Sequence, residues 1–152
     1  MENTLQYAGF WKRFAAYMID FLILSFFQYQ LYYNVSLQLQ IALNSNENGY
    51  SGLAIDNPAV IIITAVLSFF ISWSYFSGLE SSPLQATIGK LAAGIYVTDI
   101  NGVRLSFGKA SCRYFGKIIS GLIICIGFIM AGFTNKKQAL HDIMAGCLVL
   151  AK

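Results

Sequence analysis

Three long stretches without a charged residue constrain this chain most. They cover residues 21–46, 57–79 and 118–135. A helix needs about 20 mostly apolar residues to cross the hydrocarbon core of a bilayer. Only 11% of the 152 residues are charged, whereas soluble domains contain about 25%. The sequence therefore predicts one α-helical integral membrane domain over residues 1–152, surrounded by the lipid bilayer and without a separate soluble domain.

The first two stretches predict two transmembrane helices. The first is expected over residues 14–33, and an outer loop over 34–57 follows it. The second is expected over residues 58–77, because Pro58 is well placed at a first helical position, where its missing N–H costs nothing.

The basic residues predict the orientation of these helices. Lys12 and Arg13 precede the first helix, five Lys and Arg residues lie in 78–117, and none lies in 34–57. Because basic loops stay in the cytoplasm, we expect the N-terminus and 78–117 inside and 34–57 outside. The chain is then a multi-pass protein of the cytoplasmic (inner) cell membrane. Its net charge of +3 is spread along the chain, so no nucleic-acid partner is expected.

The basic loop 78–117 contains a turn signal. The run "GIYVTDINGVRLSF" places β-branched and aromatic residues on both sides of Asn101-Gly102, the preferred pair for a type I′ turn. This predicts a small cytoplasmic β-hairpin. Residues 147–150, "CLVL", also have strand character and are a candidate third strand.

The third apolar segment, residues 118–133, allows two interpretations. It contains three glycines and lies between Lys117 and the pair Lys136-Lys137. A short third span would place the C-terminal tail, 134–152, outside. A re-entrant helical hairpin would keep the tail inside, and the basic residues on both flanks favour it.

Asp20 is an acid within the first predicted helix. It lies seven residues after Arg13, and this rise of about 10.5 Å is too long for a salt bridge. A charged acid at this depth costs about 2.5–3.5 kcal/mol. Asp20 is therefore expected to be protonated, paired with another segment or in contact with water.

Polar residues on the two helices form a candidate environment for Asp20. Tyr17 and Gln28 share its face of the first helix. The second helix carries a stripe of hydroxyl groups at intervals of three or four residues, with the alternative that they only pack helices together. The stripe consists of Thr64, Ser68, Ser72 and Tyr75.

Signals for catalysis or metal binding are absent from the sequence. His141 is the only histidine, and the three cysteines have no close spacing. The run "ATIGKL" lacks the leading glycine and the following Ser or Thr of a phosphate-binding loop. We therefore expect no cofactor, no bound metal and no enzymatic activity.

Three motifs in order resemble the RDD family of small, mostly bacterial membrane proteins. They are "GFWKRFAAYMIDFLIL", "TIGKLAAGIYVTDINGVRLSFGKASCRYFGK" and "KKQALHDIMAGCLVL". The resemblance covers residues 7–150. The family is named for one arginine and two aspartates, and its pattern falls here on Arg13, Asp20 and Asp142.

The resemblance implies two main functions. One is exchange of a monovalent cation for a proton through Asp20, which in so short a chain requires a homo-oligomer. The other is an accessory or regulatory subunit that binds a larger membrane protein. In that case the three charges are structural, and we expect Arg13 and Asp142 to pair at the cytoplasmic face. Handling of lipids or peptides is a third alternative.

Overall fold

The structure is a computed structural model that describes residues 6–44, 57–122 and 126–152. These residues form six helices and two strands, in the following order: α1 Phe10–Asn44, α2 Pro58–Ser81, α3 Ile88–Ala92, β1 Ile95–Asp99, α4 Phe107–Leu122, α5 Ile126–Phe133, α6 Leu140–Met144 and β2 Cys147–Ala151.

Helices α1 and α2 are both long and apolar enough to cross a membrane, as the sequence predicts. In the most apolar 18-residue window of each, only 17% and 11% of the residues are buried. The core helix of a soluble protein would instead be mostly buried. Large apolar side chains such as Leu22 and Ile62 are exposed on their surfaces. This exposure fits helices that face lipid or other helices.

The bounds of both helices differ from those expected. Helix α1 starts before residue 14 and continues to Asn44, so the first part of the predicted outer loop is helical. No glycine or proline interrupts residues 34–44, which allows the helix to continue. The rest of that loop, residues 45–56, lies outside the described residues. Helix α2 starts at Pro58 as expected and extends to Ser81.

The chain divides into two compact units, residues 22–72 and residues 1–21 with 73–152. The second of these contains the small sheet. Strands β1 and β2 are antiparallel, with Ile95 opposite Ala151 and Asp99 opposite Cys147. The chain before α1 extends this arrangement, because the Ala8 N–H donates to the Val149 carbonyl at 2.9 Å.

The predicted hairpin is wrong in its pairing. The predicted type I′ turn with Asn101 and Gly102 at its centre does not form, because Gly102 has φ +77° but Asn101 does not have a positive φ. The Gly102 N–H donates to the Asp99 carbonyl at 2.9 Å, which makes Ile100 and Asn101 the central residues. The chain still turns back here, since the Asp99 N–H donates to the Val103 carbonyl at 2.8 Å. However, residues 103–106 are not a strand, and β1 pairs with β2 instead. Val103 is 62% exposed, whereas Val149 is fully buried. Pairing with β2 therefore buries apolar surface that a hairpin would leave in water.

The core of this unit lies around the sheet. It consists of small and branched side chains from the N-terminal segment, both strands and the helices beside them: Ala8, Ala16, Ile95, Val97, Leu105, Ala110, Ala145, Cys147 and Val149.

The third apolar segment forms the end of α4 and all of α5. Helix α4 begins at Phe107, within the region predicted as a basic loop, and ends at Leu122. Residues 123–125 lie outside the described residues. Helix α5 packs against α4 and α6. These contacts are compatible with both alternatives for residues 118–133, a third span and a re-entrant hairpin.

Candidate functional site

Asp20 lies buried on α1 as an acceptor for three hydrogen bonds. The Tyr75 hydroxyl donates to its Oδ1 at 2.7 Å, and the Gly89 N–H donates to the same oxygen at 2.8 Å. The Thr87 hydroxyl donates to Oδ2 at 2.5 Å. None of the ion pairs among the described residues includes Asp20. We call Asp20, Tyr75, Thr87 and Gly89 the Asp20 site, and it joins α1 to α2 and α3.

Gly89 allows α3 to come this close to α1. A Cβ atom at position 89 would overlap the Ala16 carbonyl oxygen and would lie 2.8 Å from the Asp20 Cγ. Thr87 is the N-cap of α3, since its hydroxyl oxygen also accepts from the Lys90 N–H. The N-terminus of α3 is therefore fixed directly against the Asp20 carboxylate.

Arg13 and Asp142 form an ion pair, as the sequence predicts. The Arg13 Nη1 donates to Oδ2 of Asp142, which is fully buried at the start of α6. The Arg13 Nε donates to the Ala8 carbonyl at 3.0 Å, and its Nη2 donates to the Lys137 carbonyl at 2.5 Å. One guanidinium therefore binds the N-terminal segment and the chain leading into α6.

Arg113 continues this ion pair toward α2. Its Nε donates to Asp142 Oδ1 at 2.8 Å, and its Nη1 donates to Glu80 Oε2 at 2.7 Å. The other oxygen of Glu80 accepts from Lys90 at 2.6 Å and from Lys117 at 3.3 Å. Together these residues form what we call the charge cluster: Arg13, Glu80, Lys90, Arg113, Lys117 and Asp142.

Burial and neighbouring charge set the pKa values in and around the charge cluster. Burial raises the pKa of Asp142, but the charges of Arg113 and Arg13 outweigh it and hold that pKa well below its usual range. Burial and the charge of Arg113 together lower the pKa of Lys90 to about 7, against the opposing effect of the Glu80 carboxylate. Burial also lowers the pKa of His141, to about 3, so its imidazole is neutral at pH 7.

Most of the other polar residues singled out in the sequence have contacts other than Asp20. Within residues 22–72, the Gln28 amide donates to the Ser72 hydroxyl at 3.0 Å. Thr64 donates to the Val60 carbonyl of its own helix at 2.6 Å, and Ser68 is half-buried. Tyr17 is half-exposed and stacks on Phe21. From the predicted hydroxyl stripe, Tyr75 is the residue that binds Asp20.

Sequence reasoning missed four members of the charge cluster, namely Glu80, Lys90, Arg113 and Lys117. In the sequence the basic members serve only as signals of orientation. Two patterns point to them. Glu80 directly follows the uncharged stretch 57–79. Arg113 and Lys117 are four residues apart, so they share one face of α4.

Comparison with known proteins identifies the family. The model of the RDD family matches residues 7–146. This chain belongs to the RDD family. It is similar to the uncharacterized protein YxaI of Bacillus subtilis (strain 168), at 36% identity over 95% of this chain and 97% of that protein. It is also similar to the uncharacterized membrane protein YteJ of the same organism, at 25% identity over 97% of this chain and 82% of that protein. No solved structure matches this chain.

The arginine and the two aspartates that give the RDD family its name belong to two different sites in this protein. Arg13 and Asp142 meet in the charge cluster, whereas Asp20 accepts hydrogen bonds from neutral donors. Helix α3 connects the two sites, because Gly89 binds Asp20 and the next residue, Lys90, binds Glu80. Family membership and the two apolar helices indicate membrane localisation.

Proposed function

We propose that this RDD protein is an accessory or regulatory subunit of the cytoplasmic (inner) membrane, where it binds a larger membrane protein or further copies of itself. The observation that carries this proposal is the structural use of the family's charged residues. Arg13 and Asp142 tie the start of α1 to α6, and Asp20 ties α1 to α2 and α3. Each charge has a partner that stabilises the fold, with no need for an ion path.

The exposed surfaces of α1 and α2 support binding within the membrane. Large apolar side chains are exposed on both helices, and Leu22 and Ile62 are each more than 60% exposed. In a bilayer such positions face lipid or the helices of another protein. The name of the relative YteJ describes it as a membrane protein, which supports the same location.

The positions of the two ends of the chain support a C-terminus in the cytoplasm. Tyr7 forms an isolated bridge with Leu150 of β2, and the Ala151 N–H donates to the Gln6 carbonyl at 2.8 Å. Segments that share hydrogen bonds lie on the same side of a membrane. If the basic N-terminus is cytoplasmic, then β2 is cytoplasmic too. This favours a re-entrant arrangement of residues 118–133 over a third full span.

Topology is tested by labelling a single cysteine at Asn101, which is exposed in the turn after β1. The native Cys112, Cys125 and Cys147 are first replaced by alanine. Asn101→Cys should resist an impermeant maleimide added to intact cells and should react after lysis. A periplasm-active reporter fused after Lys152 should stay inactive. Labelling in intact cells or an active reporter would contradict the proposed orientation.

The proposed role is tested by photo-crosslinking and by flux. A photoreactive phenylalanine at Leu22 or Ile62 should give a discrete protein adduct in cells, and the same residue at Asn101 is the control. Proteoliposomes should show no exchange of Na⁺, K⁺ or Li⁺ for protons. Flux that disappears in a folded Asp20→Asn protein would instead establish the cation/proton exchanger and would overturn the accessory role.

A further inference from the structure

The charge cluster contains more positive than negative groups. Its residues comprise four bases and two acids, and their side chains are at most 16% exposed. The other described acids have partners elsewhere, Asp20 in its own site and Asp99 with Lys109. The excess is two positive charges when Lys90 is protonated and one when it is neutral. A buried charge without a counter-charge is costly.

The excess is concentrated around Glu80. This single carboxylate faces Lys90, Lys117 and Arg113, whereas Asp142 faces two arginines. The two lysine side chains are 10% and 16% exposed, and Arg113 is 3% exposed. A ligand from solution or from the membrane surface would therefore approach from the lysine side.

The two ammonium groups are placed to share one anion. Both contact the same oxygen, Glu80 Oε1, at 2.6 Å and 3.3 Å. Their nitrogens are therefore no more than 5.9 Å apart, which is the sum of these distances. An ammonium group has three N–H donors, and Glu80 takes one from each lysine. The Lys117 ammonium also lies 4.1 Å from the centroid of the Phe76 ring. Lys90 thus retains two donors, and Lys117 at least one, for the oxygens of a second anion.

We propose that Lys90 and Lys117 form a binding site for a phosphate-bearing anion, either the headgroup of an anionic phospholipid or free phosphate. A phosphate group offers several strong acceptor oxygens and negative charge. It therefore supplies the additional acceptors and counter-charge that Glu80 alone does not provide. Arg113 lies behind the site and adds to its positive field. This site does not depend on the accessory role, because it follows from the charges of the cluster alone.

The protonation of Lys90 supports the proposal. Burial and the positive charges of Arg113 and Lys117 lower its pKa to about 7. Burial and the charge of Arg113 also lower the pKa of Lys117. A bound anion would offset this repulsion and favour the charged ammonium groups. Binding near pH 7 should therefore be accompanied by proton uptake.

The test uses the full chain, purified in an uncharged detergent without phosphate. Native mass spectrometry and thermal unfolding are recorded with inorganic phosphate, with phosphatidylglycerol and with phosphatidylcholine. The variants are Lys117→Gln, Lys117→Arg and, as the matched control, Lys109→Gln. Lys109 is 46% exposed and pairs with Asp99 outside the cluster. Because Lys117→Gln removes a charge-assisted hydrogen bond to the anion, it should weaken binding about tenfold or more.

Each outcome decides the proposal. Binding of phosphatidylglycerol that Lys117→Gln weakens and Lys117→Arg restores supports the headgroup as ligand. Binding of inorganic phosphate with the same dependence supports free phosphate. If neither ligand binds or stabilises the folded protein, the site does not exist. If Lys109→Gln weakens binding as much as Lys117→Gln, attraction is diffuse and the proposal is wrong. A failed flux or crosslinking experiment affects only the accessory role.

Discussion

Arg13 and Asp142 form a buried ion pair that fastens the first turn of α1 to α6. The same carboxylate accepts a second guanidinium, that of Arg113, at 2.8 Å. The Asp142 carboxylate therefore provides negative charge for two guanidinium groups. Helices α1, α4 and α6 meet at this one side chain.

Loss of the Asp142 charge should be among the most costly changes in the cluster. Asp142→Asn leaves two buried guanidinium groups short of charge compensation, and removing one partner of a buried pair costs about 3–5 kcal/mol. We expect Arg13→Gln to cost less, because Arg13 is the more exposed partner. Thermal unfolding in detergent measures both. The control is Asp99→Asn, in the exposed pair with Lys109, which should cost much less because exposed ion pairs contribute little to stability. Equal losses in all three would contradict this ranking.

The structure changes the stability that we expect when Arg13 and Asp142 are exchanged for each other. From sequence alone, Arg13→Asp combined with Asp142→Arg should restore an isolated pair. In the structure the new arginine would face Arg113, so like charges would meet. We expect the double variant to recover only a small part of the lost stability, because Arg113 still faces the new arginine. A double-mutant cycle that shows substantial recovery would mean that Arg113 moves away.

Gly89 should tolerate no larger residue. In Gly89→Ala the new methyl group would meet the Ala16 carbonyl and the Asp20 carboxylate. Overpacking of this kind costs about 1–3 kcal/mol, and displacement of α3 would also break the bond from Gly89 to Asp20. Gly108→Ala is a matched control, since Gly108 is also the second residue of a helix and has open space around it. It should be neutral or slightly stabilising. Equal unfolding temperatures for both variants would contradict the close approach.

Sequence patterns predicted those features that depend on local composition. The two apolar helices follow from hydropathy. A turn after β1 follows from turn preferences, although its centre is Ile100-Asn101 and not the predicted Asn101-Gly102. The pairing of Arg13 with Asp142 followed from their positions at one expected interface. The candidate strand at residues 147–150 is confirmed as β2, but its direct pairing with β1 could not be predicted in the same way. It depends on which segment has buried side chains, and β2 is far from β1 in the chain. Glu80 was missed because its three cations come from α3 and α4.

The choice of strand partner is tested by the same substitution at two valines. Val149 in β2 is fully buried, whereas Val103 after the turn is 62% exposed. Val149→Ala removes two buried methylene equivalents and leaves a cavity, so it should cost about 2 kcal/mol or more. Val103→Ala should stay within about 0.5 kcal/mol. The reverse order in thermal unfolding would restore the hairpin predicted from the sequence.

Lys90 should make stability depend on pH in the range above neutrality. Its pKa is about 7 in the folded chain, whereas that of a free lysine is 10.5. Between these values the unfolded chain binds the proton and the folded chain does not, so stability should rise with pH from about 7 to 10. Lys117 contributes in the same direction, since its pKa is also lowered.

Replacing Lys90 by methionine should remove part of this slope. Lys90→Met introduces an apolar side chain of similar length that does not titrate. Glu80 retains Arg113 and Lys117 as partners. Thermal unfolding from pH 6 to pH 10 in phosphate-free buffer should therefore give a flatter profile than in the unmodified chain. The control Lys109→Met, at an exposed ion pair, should keep the original slope. A profile unchanged by Lys90→Met would mean that Lys90 stays protonated in the folded chain throughout this range.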